Sequence, residues 1–269
     1  MGKKSAMTTR TPDVATSVSS GVIYAAPRSV SLHECSFYHS LTLPGYGEVP
    51  GEWDLRGRED TYLGHLDLRG KRILEVGAAS GGLTFHMERR GADVVAFDLS
   101  ENHPFDVVPY DGRDDLQEKH RSFIRRINNG WWFAHECFRS EARMVYGTVY
   151  EIPSGIGPVD VATVCSVLLH VRDPFLALQK STAHASEVIV TDRLSVTLSL
   201  PHLLLRGIAF LPNPKTHEPK HSWWLLTPGI VRRMLGVLGF HRTKTTYHLQ
   251  RYKGVPLPMF TVVGQRSAG

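Results

Sequence analysis

The sequence predicts an open, doubly wound α/β fold: a mostly parallel sheet of seven strands with an antiparallel C-terminal hairpin and two lid-like insertions. Three observations lead there. Short apolar runs alternate with helical stretches through most of the chain. A glycine cluster separates one such run from its helix, and an acid ends the next run. Finally, 269 residues, 42% hydrophobic and 21% charged, suffice for one large domain with a substantial core, which excludes a globally disordered chain and a simple coiled coil.

Residues 1–20 are polar and rich in Ser and Thr, so they read as a solvated tail without the apolar stretch of a signal peptide. Residues 21–66 form an N-terminal lead-in or cap: Cys35 to Trp53 is aromatic and turn-rich, and Arg58 to Leu66 suits a short helix. The core domain then runs from 67 to 269. Its first unit is a strand at Arg72–Val76 (RILEV), the turn GAASGG, a helix at Leu83–Arg89, and a strand at Val94–Phe97 ended by Asp98. Strands follow at Arg143–Tyr150, Asp160–Cys165 and Glu187–Thr191, with a helix opened by proline at Pro174–His184. Thr227–Leu238 has an N-cap threonine, proline at the first position and Gly239 just past its end. Strands at Thr243–Gln250 and Pro258–Val263 are close enough to form the hairpin. The insertions, about 100–141 and 194–222, exceed ordinary loop length and suit lids or binding elements.

The formal charge of +5, from 31 Lys+Arg against 26 Asp+Glu, is spread along the chain and does not mark a nucleic-acid protein. Cys35, Cys137 and Cys165 are far apart, which excludes a disulfide scaffold and a cysteine zinc site. The most apolar run, Leu194–Leu211, contains Pro201, His202 and Arg206 and does not read as a membrane span. These features suggest a cytoplasmic protein in a reducing compartment, with no membrane partner.

The glycine turn carries the chemistry. Glycines allow a sharp turn and close approach of a ligand, and the amides opening the next helix face it. Asp98 is placed to accept from a ribose diol. The spacing G-x-x-x-G-G departs from the dinucleotide G-x-G-x-x-G, and Glu75, two residues before Gly77, suits a cationic ligand better than a pyrophosphate. A P-loop fails because Arg72 stands where Ser or Thr must hold magnesium. A nucleoside carrying a positive group remains, with S-adenosylmethionine the leading candidate.

Taken with the order of elements, ILEVGAASGG and Asp98 resemble a class I S-adenosylmethionine-dependent methyltransferase of Rossmann-like fold. The longer stretches FYHSLTLPGYGEVPGEWDLR, LRGKRILEVGAASGGLTFHMERRGADVVAFDLS and VYGTVYEIPSGIGPVDVATVCSVLLHVRDPFLAL resemble the branch that includes the tRNA wobble-uridine 5-oxyacetic acid methyltransferase-like proteins. Together they span roughly residues 36–192. Ala79 replaces the middle glycine of the wider superfamily. The resemblance implies Glu75, Gly77, Ala78, Ala79 and Gly81 along the methionine moiety, Asp98 on the ribose and Leu99 beside adenine. Val149 and Tyr150, with Glu151 weaker, fall at the adenine edge, and Cys165 and Ser166 at the substrate mouth. It also implies S-adenosylhomocysteine as product.

Methyl transfer is an in-line displacement that gains from alignment in a dry site, and a hydroxyl acceptor benefits from a general base. His170, directly after a strand, is the first candidate base, and His39 the second. Trp53, Trp131, Trp132, His135, Trp223 and Trp224 are candidates for lining the acceptor site. His217 and His221 are spaced H-x-x-x-H, but Pro214 and Pro219 oppose the helix that a metal site would need, so no metal is expected. Lys119, Arg121, Arg125 and Arg126 read as a solvated helical face. A carboxylated donor would need cations at its methyl end, with Arg172 and Arg193 the candidates; ordinary S-adenosylmethionine is favoured. The expected acceptor is an oxygen or nitrogen of a small molecule, in secondary metabolism. The alternative is a tRNA wobble-uridine-modifying methyltransferase or carboxymethyltransferase, and the absence of a recognisable RNA module ranks nucleic acid second.

Overall fold

A computed structural model of the chain describes residues 23–110, 116–194, 207–217 and 222–267. The predicted tail at 1–20 and much of the second insertion lie outside the described residues. In chain order, the lead-in holds a small hairpin, β1 (Leu41–Leu43) with β2 (Gly47–Val49), then β3 (Trp53–Asp54) and one helical turn, α1 (Glu59–Tyr62). The core follows as β4 (Arg72–Val76), α2 (Gly82–Arg89), β5 (Asp93–Asp98), α3 (Leu116–Phe138), β6 (Arg143–Tyr146), β7 (Val159–Cys165), α4 (Pro174–Ser181) and β8 (Ala185–Arg193). β9 (Ile208–Phe210), β10 (Trp224–Leu226), α5 (Pro228–Val237), β11 (Arg242–Tyr252) and β12 (Val255–Gln265) complete it.

The main sheet has eight strands in the order β3-β11-β12-β8-β7-β4-β5-β6. β6, β5, β4, β7 and β8 are parallel to their neighbours, and β12 enters antiparallel beside β8. The central strands are Val-, Ile- and Leu-rich and buried on both faces, as sheets covered by helices require. The seven predicted strands are all present. The eighth, β3, comes from the lead-in; it joins the edge by pairing Trp53 with Tyr252 and Asp54 with Arg251. Lys253 (φ 49) and Gly254 (φ 79) make the two-residue turn of the C-terminal hairpin, both left-handed as such turns need.

Several boundaries move for local reasons. The helix expected at Arg58–Leu66 stops at Tyr62 because Gly64 and His65 adopt positive φ. The strand expected to reach Tyr150 ends at Tyr146, where the Gly147 N–H donates to the Asp98 carbonyl at 3.0 Å. α4 ends at Ser181, where the Ser181 and Thr182 hydroxyls donate back to the Ala177 and Leu178 carbonyls. α5 keeps its cap, with Thr227 Oγ1 accepting from the Ile230 N–H at 3.3 Å. Much of the first insertion is α3, 23 residues long. Among the described residues no helix is long and apolar enough to cross a membrane.

Candidate functional site

A cavity of about 1670 Å³ opens at the C-terminal ends of β4, β5 and β7, where doubly wound sheets bind ligands. Its floor is the glycine turn. Gly77 has φ +80, and a Cβ there would lie 2.6 Å from Val167 Cγ2. Ala79, also left-handed at φ 48, donates its N–H to Asp98 Oδ2 at 2.6 Å, while the Leu99 N–H donates to Oδ1 at 2.7 Å. The Asp98 carboxylate is thus oriented by two backbone amides and still lines the cavity. Burial outweighs those two bonds and pushes its pKa up to about 6.

Of the expected cofactor residues, Gly77, Ala79, Asp98, Leu99, Val149, Tyr150, Cys165 and Ser166 stand on the wall, with Glu151 beside them. Ala78 and Gly81 do not; the Gly81 N–H donates to the Ala78 carbonyl and closes the turn from behind. Glu75 is the larger departure. It is 2% exposed and off the wall, turned toward α2, where Thr84 Oγ1 donates to its Oε2. Trp131 Nε1 in turn donates to Thr84 Oγ1 at 3.2 Å. Burial pushes the Glu75 pKa up to about 8, and its carboxyl ties β4 to α2 through Thr84. Burial also takes the Cys165 thiol up to about 12, which removes it as a nucleophile.

The tryptophans expected to line an acceptor site mostly do something else. Trp131, Trp132 and His135 are off the cavity wall, packed together between α3 and its neighbours. Trp132 Nε1 donates to Tyr146 Oη at 2.9 Å, and His135 Nε2 lies 3.1 Å from the Ala142 carbonyl. Their apolar surface serves the core, where burial is worth most. Trp223 and Trp224 are also off the wall and act as staples: their indole N–H groups donate to the Asp106 carbonyl and to the Val171 and Arg172 carbonyls. Trp53 does line the cavity.

Asp106, unmarked in the sequence, is the hub of the cover. Its Oδ2 accepts from the Tyr150 hydroxyl and from the Arg172 N–H at 2.6 Å. The segment around it, Pro104 to Val108, forms one side of the cavity, together with Lys119, His120 and Phe123 of α3. Tyr110 stacks on His217 at 5.0 Å, so the two insertions touch. His217, one of the two histidines considered for metal, makes this stack, and His221 lies outside the described residues. Arg172 is exposed and sits over the Trp223 ring at 5.3 Å, away from the wall.

The other end of the cavity is built by the lead-in and the hairpin. Ser80 Oγ, inside the glycine turn, accepts from the Tyr38 and His39 N–H groups at 3.0 and 3.1 Å, seating the lead-in on the turn. Tyr38, Trp53, Tyr62, Arg193 and Tyr252 line this end. Tyr62 Oη is 2.9 Å from Ser166 Oγ at the mouth. Both candidate bases, His39 and His170, reach the wall. His39 is 8% exposed, packed on Gly82 with Nδ1 unpartnered, and burial lowers its pKa to about 4. Of the basic stretch, Arg121 and Arg125 are exposed, but Arg126 donates to the His33 and Cys35 carbonyls and holds the lead-in. Ser80, Tyr38, Tyr62 and Asp106 carry no local signal: each matters through a partner at least about 40 positions away.

The family described as "Methyltransferase domain" matches residues 57–225. No curated protein sequence matches. Among solved structures, the N-terminal domain of EvdMO1, crystallised in the presence of SAH and D-fucose, is 16% identical with a TM-score of 0.52, covering 87% of this chain and 93% of that one. Magnesium protoporphyrin IX methyltransferase (ChlM) from Synechocystis PCC 6803, with bound SAH, is 16% identical with a TM-score of 0.49 over 78% of this chain and 82% of that one. The 1,6-didemethyltoxoflavin-N1-methyltransferase of Burkholderia thailandensis is 15% identical, with a TM-score of 0.49 over 80% of this chain and 78% of that one.

Proposed function

We propose, from the premise that this chain belongs to the methyltransferase-domain family, that it transfers a methyl group from S-adenosylmethionine to an oxygen or nitrogen of a small molecule. The observation that carries this reading is one continuous cavity: it runs from Asp98 and the glycine turn, past Cys165 and Ser166, into a compartment walled by tyrosines and Trp53. The residues present fit such a donor. Gly77 holds the left-handed turn that forms the cavity floor, and Asp98 presents a carboxylate already oriented by two amides. That the EvdMO1 N-terminal domain was crystallised in the presence of SAH supports the same donor.

When bound, S-adenosylmethionine supplies a methyl group already activated by the neighbouring sulfonium. Asp98 would accept from the ribose hydroxyls, Leu99 and Val149 would flank the base, and Gly77 and Ala79 would border the methionine. Tyr150, Asp106 and Trp223 hold the cover that keeps water out, strengthening every polar contact inside. For a hydroxyl acceptor, His170 is the base we propose. His39, with a pKa of about 4, is a feeble proton acceptor near neutrality and serves to position the lead-in.

The test is calorimetric titration with S-adenosylhomocysteine. Wild type should bind saturably and Asp98→Ala at least about tenfold more weakly, a loss of about 1.4 kcal/mol. Folded wild type that does not bind would overturn the proposal.

A further inference from the structure

A cavity of about 1670 Å³ exceeds the roughly 300–1,000 Å³ of a single small-ligand pocket, so the compartment beyond Ser166 has room for a second molecule. Resting on the methyl-transfer reading, we propose that the acceptor carries a carboxylate and that Arg193 is the residue that selects it. Arg193 ends β8 and lines the cavity at the acceptor end. Its guanidinium donates from Nη2 to Ser222 Oγ at 3.3 Å, whereas Nε is buried without a partner. Among the described residues it makes no ion pair with a carboxylate. The adjacent Asp192 accepts from the Arg193 backbone N–H at 2.7 Å, and the Arg193 charge pulls the Asp192 pKa down against the larger effect of burial, without a direct ion pair.

The other cation at this end is already matched. Lys253 Nζ lies 3.6 Å from Glu52 Oε1, and Glu52 also accepts from the Tyr252 hydroxyl at 3.0 Å. Among the described residues at this end, Arg193 is therefore a cation with unused donors on a partly buried wall. A guanidinium in that setting gains from a carboxylate through short, charge-assisted and often paired bonds, more than from any neutral group. Tyr38, Trp53, Tyr62 and Tyr252 line the same cavity, which favours a planar, aromatic body for the acid.

The probes are 4-hydroxybenzoate, ionised at neutral pH, and its uncharged counterpart 4-hydroxybenzamide, each titrated into the full chain preloaded with S-adenosylhomocysteine. Wild type should bind the acid at least about tenfold tighter than the amide. Arg193→Gln should bring the two within about twofold, and Arg193→Lys should keep part of the preference. S-adenosylhomocysteine is titrated on every variant, which reports whether the fold is intact. Loss of that binding in wild type counts against methyl transfer itself. Intact S-adenosylhomocysteine binding with equal affinity for both probes, or with none for either, overturns the carboxylate site alone.

Discussion

Gly77 and Ala79 sit two positions apart in the same turn, both with positive φ, yet only one is a glycine. Ala79 carries the steric cost of the left-handed region, about 1–2 kcal/mol, because its N–H is then aimed at Asp98. At Gly77 that cost would be joined by a collision with Val167, whose Cγ2 would lie 2.6 Å from an added Cβ. Gly77→Ala should therefore lower the unfolding free energy by about 2 kcal/mol or more. It should also weaken S-adenosylhomocysteine binding, whereas Ala79→Gly should leave that affinity within about twofold. Denaturant titration with calorimetry checks both. This turn is legible in the sequence because its chemistry is local: glycine freedom, a strand before, a helix after. The position of Glu75 is not, because strand periodicity gives two faces without saying which one a helix will cover. Docking of α2, through Thr84, decides that.

At the scale of elements, α3 and the lead-in depend on one another. Arg126 and Asn129 donate to lead-in carbonyls, and Gly130 lets the Ser36 carbonyl come so close to the helix that a Cβ would strike its oxygen. Intrinsic propensity favours alanine over glycine inside a helix by about 1 kcal/mol. Displacing a backbone carbonyl costs more than that, so Gly130→Ala should lower the thermal midpoint rather than raise it; a rise in circular dichroism melts would refute the close seating. The same docking explains why the tryptophans depart from expectation. Residues Trp131 and Trp132 announce burial, but their sequence does not say whether they face a ligand or a neighbouring helix. They meet Phe85, Tyr146 and each other. The Trp223 and Trp224 staples have the same character: their partners near Asp106 and Arg172 lie over 50 positions away.

Across the whole molecule, three buried carboxylates share one direction. Desolvation raises Glu75 from 4.5 to about 8, Asp192 from 3.8 to about 7 and Asp98 from 3.8 to about 6. The folded protein therefore holds more protons than the unfolded chain between about pH 4 and 8. Their contribution to stability is full below that window and is lost as pH rises through it. Glu75→Gln keeps an acceptor for Thr84 and removes the ionisation, so its thermal midpoint should exceed that of wild type by several degrees near pH 9, with the gap shrinking near pH 5. Thermal melts across that range check the sign. The alternation of strands and helices, and with it this framework, is readable from the chain; the far wall of the cavity is not, because it joins the lead-in to the C-terminal hairpin. Tyr252 reaches Glu52 across 200 positions, and Thr261 reaches the Tyr62 carbonyl across 199. By contrast, the walls around Asp98 come largely from a contiguous stretch between β4 and the turn after β7. Distant closures form late because their entropy must be met before any contact rewards them. A chain synthesised from its N-terminus thus carries every strand around Asp98 before the hairpin that completes the far end of the cavity has been made.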